Sequence, residues 1–191
     1  MTTKITAIRS RPALPACSCW IALAALVLAS GTVAQTDCLE GRGNAAMSSS
    51  SAAGLFLIDP NATVVVQRPT RLSWMRCAIG QHWDGTSCSG SAELLDWQQA
   101  LALANSADHG GHDDWRLPDR NELQSIIEAQ CFSPAINNQV FPATPSLPFW
   151  SSSARAGTVP GQVWQVDFAS GAVAPAERVS TAAVRLVRGG T

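Results

Sequence analysis

HGGHDDWRLPDRNEL, residues 109–123, connects the two predicted helices of this chain. Asp119 is a favourable helix N-cap, and Glu122 follows three residues later, which is the spacing of a capping box. Pro118 precedes the cap and can pack on Leu123 as a hydrophobic staple. The end of this stretch therefore predicts the first turn of a helix, whose apolar stripe continues through Leu123, Ile126 and Ile127.

An extended segment precedes that helix. Trp115 and Leu117 lie two positions apart, so their side chains point to the same side, and we expect that side to be the core. Arg116 points the other way. We expect it to pair with a carboxylate or with exposed backbone carbonyls, and a cation-binding or catalytic role for Arg116 is the alternative.

The start of the stretch contains His109, His112, Asp113 and Asp114, which together suggest a metal site. His-x-x-His spacing is common among metal ligands. However, the segment is rich in glycine, and a zincin needs His-Glu-x-x-His on a helix. We therefore predict a solvated turn and keep a metal site as the alternative.

Residues 1–34 have the pattern of a secretory signal peptide. Three basic residues are followed by an apolar run at 19–30 and by small residues at 32–34, where cleavage is expected. The apolar run is short for a membrane span, and an uncleaved N-terminal anchor is the alternative. We predict a secreted, periplasmic or cell-surface protein with no membrane span after signal cleavage.

Removal of this segment would leave an acidic protein. The three basic residues leave with it, so ten arginines would face 14 acidic residues, and no lysine would remain. Binding to nucleic acid needs a basic stripe of surface residues. We therefore exclude nucleic acid as a partner, and we also predict no cofactor.

Cys38, Cys77, Cys88 and Cys131 would remain after cleavage. An even number of cysteines in an exported protein predicts disulfides. Three pairings are possible, and the short loop between Cys77 and Cys88 favours their pairing, which leaves Cys38 for Cys131. A four-thiolate metal site is the alternative, although no Cys-x-x-Cys pair supports it.

The remaining chain predicts one domain. Residues 35–53 are rich in Ser, Ala and Gly, which predicts a flexible leader and a folded domain at 54–191. In that domain strand patterns come first, two helices follow from residues 97 and 120, and strands return after a proline-rich loop. Asp96 and Gln99 have capping-box spacing at the start of the first helix. This order of strands and helices predicts an α+β fold with two helices packed on a small antiparallel sheet.

Seven motifs occur in one order along this domain. They are WMRCAIGQHWDGTSC (74–88), WQQALALAN (97–105), GGHDDWRLPDRNELQSIIE (110–128), PAINNQVFP (134–142), FWSSS (149–153), VWQVDFASG (163–171) and VRLVRGG (184–190). Together they resemble the Lcl C-terminal domain family, named for a bacterial collagen-like adhesin. The resemblance implies a C-type-lectin-like fold in an exported bacterial protein.

The resemblance also implies a ligand, since the collagen-like adhesin binds sulfated polysaccharides through this domain. The present chain departs from that pattern because its mature part is acidic and contains neither lysine nor tyrosine. No collagen-like Gly-X-Y repeat precedes the domain. We therefore do not extend the specificity for polyanions to this chain.

Three residues of the C-terminal strands are candidates for ligand binding: Trp150, Trp164 and Asp167. An exposed tryptophan offers a flat stacking face, and an aspartate accepts hydrogen bonds from sugar hydroxyls. Both tryptophans lie in alternating strands, where packing in the core is the alternative. Asp167 would in that case pair with Arg185 or Arg188 across the sheet.

Enzymatic activity is not expected. Serines 151–153 have no Gly-x-Ser-x-Gly elbow, and disulfides account for the cysteines. We expect a non-catalytic binding or adhesion module for carbohydrate or another surface ligand. A structural or assembly subunit of an exported complex is the alternative, followed by a metal-dependent enzyme using His109 and His112.

Overall fold

A computed structural model describes residues 37–39, 42–157 and 161–190. The predicted signal peptide lies outside the described residues. In the part of the chain that is described, no helix is long and apolar enough to cross a membrane.

Short strands precede and follow two helices, as the sequence predicts. In chain order the elements are β1 (Phe56–Ile58), β2 (Val64–Gln67), β3 (Leu72–Met75), β4 (His82–Trp83), β5 (Cys88–Ser89), α1 (Trp97–Ser106), α2 (Arg120–Gln124), β6 (Pro148–Ala154), β7 (Gln162–Asp167), β8 (Val173–Glu177) and β9 (Val187–Arg188).

These strands form three small antiparallel sheets. The largest has the order β1-β2-β3-β9, so the last strand of the chain pairs with the third, with Val187 opposite Trp74. β6, β7 and β8 form a three-stranded sheet, and β4 and β5 form a two-stranded one. The α+β class is thus confirmed, although the strands divide among three sheets where the sequence predicts one.

Two buried clusters join the sheets to the helices. The first includes Trp74 of β3, Leu123 of α2 and Phe149 of β6. The second includes Ala100 of α1 and Trp150 of β6. Because neighbouring residues of β6 enter different clusters, this strand connects the two halves of the core.

The stretch 109–123 lies against the last strand of the chain. Arg116 exchanges two backbone hydrogen bonds with Val187, at 2.9 and 3.0 Å. Trp115 and Leu117 on either side are 3% and 2% exposed. Their predicted orientation toward the core is confirmed, and this pairing brings two distant sequence motifs together.

Two ion pairs reinforce this junction. The guanidinium of Arg116 donates to both carboxylate oxygens of Glu122 at 2.7 Å. Burial raises the pKa of Glu122, but the hydrogen bonds from Arg116 and from the backbone outweigh that effect and hold it below its usual value. Arg188 donates through Nε to Asp114 at 2.6 Å. The predicted pairing of Arg116 with a carboxylate is therefore confirmed.

Both predicted capping boxes are present, and the second helix is shorter than predicted. Asp119 accepts from the backbone N–H of Glu122, and the Glu122 carboxylate accepts from that of Asp119, both at 2.7 Å. Helix α2 ends at Gln124, whereas the predicted apolar stripe continues to Ile127. The hydroxyl of Ser125 donates to the Glu122 carbonyl at 2.6 Å, and such side-chain bonds compete with the helical ladder.

We expect Asp119→Ala to lower the free energy of unfolding by about 1 kcal/mol, because it removes the N-cap acceptor of α2. Chemical denaturation followed by circular dichroism measures this change. Asp113→Ala is the matched control, since this exposed side chain has no hydrogen-bond partner among the described residues. Equal stability of the two variants would contradict a capping role for Asp119.

The described part of the predicted leader is attached to the domain through a buried carboxylate. Glu128, which is fully buried, accepts from the backbone N–H groups of Ser50 at 2.8 Å and Ser51 at 2.7 Å, and from the Ser49 hydroxyl at 2.6 Å. This docking differs from the flexible leader that the composition predicts. The reason is that a buried carboxylate needs several donors, and a serine-rich segment supplies them.

Both disulfide pairings are confirmed. Cys77 is bonded to Cys88, with their Cα atoms 5.4 Å apart, and Cys38 is bonded to Cys131, with their Cα atoms 5.3 Å apart. The alternative of a four-thiolate metal site is therefore wrong. The first bond closes the loop between β3 and β5, and the second holds the N-terminal segment.

Candidate functional site: a cleft lined by tryptophan

Trp150, the first predicted ligand-binding residue, is a core residue. Its side chain is fully buried, and its indole N–H donates to the carbonyl of Leu95 at 2.7 Å. No face of the ring is open to a ligand. The expectation that Trp150 binds a ligand is therefore wrong, and the packing alternative is correct, because β6 lies between the two clusters of the core.

Asp167 stabilises a turn. Its carboxylate accepts from the backbone N–H of Ala169 at 2.9 Å and from the hydroxyl of Ser170 at 2.8 Å. It does not pair with either predicted arginine, since Arg188 bonds Asp114 and Arg185 donates to Thr144 at 2.8 Å inside the core. The hairpin between β7 and β8 accounts for these contacts of Asp167.

Trp164 is half-buried on β7. The guanidinium carbons of Arg120 and Arg155 lie 5.3 and 5.8 Å from the centre of its ring. Because side chains alternate along a strand, Trp164 and Asp167 point to opposite faces of the sheet. The structure thus does not bring the three predicted residues into one site.

Backbone hydrogen bonds form the histidine-rich turn at residues 109–112. His109 and His112 exchange backbone hydrogen bonds at 2.9 and 3.2 Å, and Gly110 has a φ of 62°, which glycine adopts readily. The His109 ring packs edge-on against Trp115, with centroids 5.8 Å apart. Among the described residues, no group of three or more His, Cys, Asp or Glu side chains is placed to hold a metal ion.

A cleft of about 540 Å³ lies on one side of this turn. One wall consists of Met75 and residues 77–83, at the start of the disulfide-closed loop. The other wall consists of Leu103 and residues 106–109, where α1 ends. This volume falls in the range of sites that bind small molecules.

Trp83 is the large aromatic side chain of the cleft, and Arg76 holds it in place. The Arg76 guanidinium lies 4.0 Å from the centre of the Trp83 ring. Arg76 is 7% exposed, and its Nε donates to the carbonyl of Val140 at 2.9 Å. Burial lowers the pKa of Arg76, although a guanidinium stays protonated in proteins. The half-buried ring is thus fixed by a cation–π contact.

Polar groups lie near the ring. His82 precedes Trp83, and its Nε2 is 3.0 Å from the hydroxyl of Ser89 across the β4–β5 pair. Asp108 is an exposed lining residue whose carboxylate has no hydrogen-bond partner among the described residues. Asp84 caps the turn beyond Trp83, and hydrogen bonds from the backbone N–H groups of Ser87 and Thr86 lower its pKa. The cleft therefore combines an aromatic surface with an acceptor and a histidine.

Sequence reasoning missed Trp83, because a loop between two cysteines was interpreted only as the site of a disulfide and not as part of a binding site. One signal was nevertheless present. A loop closed by a disulfide over a sequence separation of 11 residues is too short to bury an indole by itself, so its tryptophan has to contact other elements or remain accessible.

The region that contains most of the seven motifs matches a known protein family. Residues 63–188 match the model of the Lcl C-terminal domain. The chain belongs to the Lcl C-terminal domain family. The match begins at Thr63, so both walls of the cleft lie inside the Lcl C-terminal domain, whereas β1 and the N-terminal segment precede it. No curated protein shows significant similarity to the chain.

Proposed function

We propose that this Lcl C-terminal domain is an exported, non-catalytic binding module that takes a carbohydrate in the cleft beside Trp83. The single observation that supports this most strongly is the fixed indole in a cleft of about 540 Å³. A sugar ring lays its apolar C–H face on an aromatic side chain, and its hydroxyls need acceptors and donors at the edge. Asp108 and His82 supply such groups.

The proposal includes export and a C-type-lectin-like arrangement. Two disulfides support an oxidising compartment outside the cytoplasm. Two helices with small antiparallel sheets, closed by pairing of β3 with the last strand, are compatible with that fold. Separation of cell fractions, with detection of the intact disulfides, tests the location.

The number of acidic residues in the cleft favours a binding role over glycoside hydrolysis. Glycosidases usually use a pair of carboxyl groups on either side of the scissile bond. Among the described residues that line the cleft, Asp108 is the single carboxylate. We therefore assign it to hydrogen bonding with the ligand.

A glycan array with the disulfide-intact protein identifies the ligand. We expect at least one neutral saccharide to bind, and Trp83→Ala to weaken that binding by about tenfold, since the stacking surface is lost. Trp83→Phe should keep part of the affinity, and Trp164→Ala, on another sheet, is the control. An array without any bound glycan, or equal binding by Trp83→Ala, would contradict the proposal.

A structural or assembly subunit remains the second candidate, and one observation favours it. β1 is at the edge of its sheet, and Leu55, Leu57 and Ile58 are exposed there by 40, 49 and 44%. An open apolar edge strand pairs readily with another chain. Co-purification of a stoichiometric partner that is lost in Leu57→Lys would favour this candidate over glycan binding.

A further inference from the structure

Trp164 lies outside the cleft beside Trp83 and contacts two arginines. Its half-buried ring lies on β7, where arginine side chains from two other parts of the chain approach it. Arg120 is the first residue of α2, and Arg155 directly follows β6. Their guanidinium carbons lie 5.3 and 5.8 Å from the ring centre. Two like charges are therefore held around one aromatic side chain.

Neither of these arginines has an acidic partner among the described residues. Arg120 donates to the Asn121 side chain at 3.4 Å. Arg155 donates to Oε1 of Gln162, whose amide in turn donates to Glu177 at 2.8 Å. Glu177 is thus bonded to the neutral amide of Gln162 and not to Arg155. The guanidinium groups of Arg120 and Arg155 therefore retain N–H donors that can bind an anion.

Three acceptors beside the ring already have a donor each. Oε1 of Gln162 accepts from Arg155, the Asn121 side chain accepts from Arg120, and the Ser153 hydroxyl accepts from the backbone N–H of Arg120 at 3.0 Å. A sugar would bring several hydroxyl donors, and each of these acceptors has only one lone pair left for them. A carboxylate brings acceptors alone, which matches two guanidinium groups.

We infer that Trp164, Arg120 and Arg155 bind the free carboxyl terminus of a partner polypeptide, with the apolar last side chain on the indole. Tryptophan and arginine are the residue types enriched at the energetic centres of protein interfaces. The rest of the protein carries a net negative charge, which repels highly charged polyanions but tolerates a ligand with one charge.

Isothermal titration with an N-acetylated tetrapeptide that ends in leucine tests this site. The free acid should bind about tenfold more tightly than the same peptide with an amidated end. Arg120→Gln and Arg155→Gln should each weaken binding of the free acid by about tenfold. Arg68→Gln, which changes an exposed arginine directly after β2, and Trp83→Ala should leave this affinity unchanged.

Three results would overturn the inference. They are equal affinity for the acid and the amide, unchanged affinity in both arginine variants, and binding of methyl glucuronide in preference to the peptide. The last result would assign the site to an acidic sugar. Because Trp83→Ala is included, a failure here is distinguishable from a failure of glycan binding in the cleft.

Discussion

Trp150→Ala should lower the free energy of unfolding by about 4 kcal/mol, the largest effect that we expect from a single change in this domain. The substitution removes a fully buried indole from the strand shared by both core clusters. It also leaves the carbonyl of Leu95 without the indole donor that lies 2.7 Å from it. Chemical denaturation followed by tryptophan fluorescence and circular dichroism measures the change.

Trp150→Phe separates packing from hydrogen bonding. It keeps most of the apolar contact and removes the bond to Leu95, so we expect a smaller loss of about 1–2 kcal/mol. If Trp150→Ala changed stability by less than about 1 kcal/mol, as a surface substitution does, Trp150 would be accessible, and its original assignment to ligand binding would return.

Glu128→Gln should lower the free energy of unfolding by about 3 kcal/mol at neutral pH. Burial raises the pKa of Glu128, but hydrogen bonds from Ser49, Ser50, Gln130 and Ser51 together lower it to about 2, from an ordinary value of 4.5. A difference of this size between the folded and unfolded states corresponds to about 3 kcal/mol. The glutamine amide has one acceptor oxygen where the carboxylate has two, so at least one buried donor loses its partner.

The stabilisation by Glu128 depends on pH, and its direction follows from the lowered pKa. The folded-state pKa is depressed, so the stabilisation is present above the ordinary pKa of 4.5 and is lost as the pH falls through about 2. The difference in stability between the unaltered protein and Glu128→Gln should therefore shrink as the solution is acidified. Ser49→Ala, which removes one donor, should cost only about 1 kcal/mol. A difference that stays constant with pH would contradict the ionised, hydrogen-bonded carboxylate.

Sequence reasoning succeeded where the determinants are local. The caps at Asp96 and Asp119 follow from side-chain chemistry within three residues, and both boxes are present. The Cys77–Cys88 disulfide followed from a short loop, and the pairing of Cys38 with Cys131, 93 residues apart, then followed by elimination. The orientation of Trp115 followed from alternation alone, and it needed no knowledge of the partner strand.

Sequence reasoning failed where the determinants are distant in sequence. The docking of the serine-rich segment depends on Glu128, which lies 77–79 residues further along the chain. An alternating strand cannot reveal which of its faces is covered, so Trp150 and Trp164 looked equivalent although one is fully buried. The cleft depends on the contact of Arg76 with Trp83 and on the end of α1 lying nearby, and neither follows from local patterns.

The most direct test of the proposed function is a two-dimensional NMR titration of the disulfide-intact protein with the saccharide that binds best on an array. Each indole N–H gives its own signal, so the spectrum shows which tryptophan meets the ligand. Our account predicts that the Trp83 signal shifts with ligand concentration, while the signal of buried Trp150 stays in place. Shifts confined to Trp164, or no shift of Trp83 at saturating saccharide, would contradict the assignment of the cleft as the binding site.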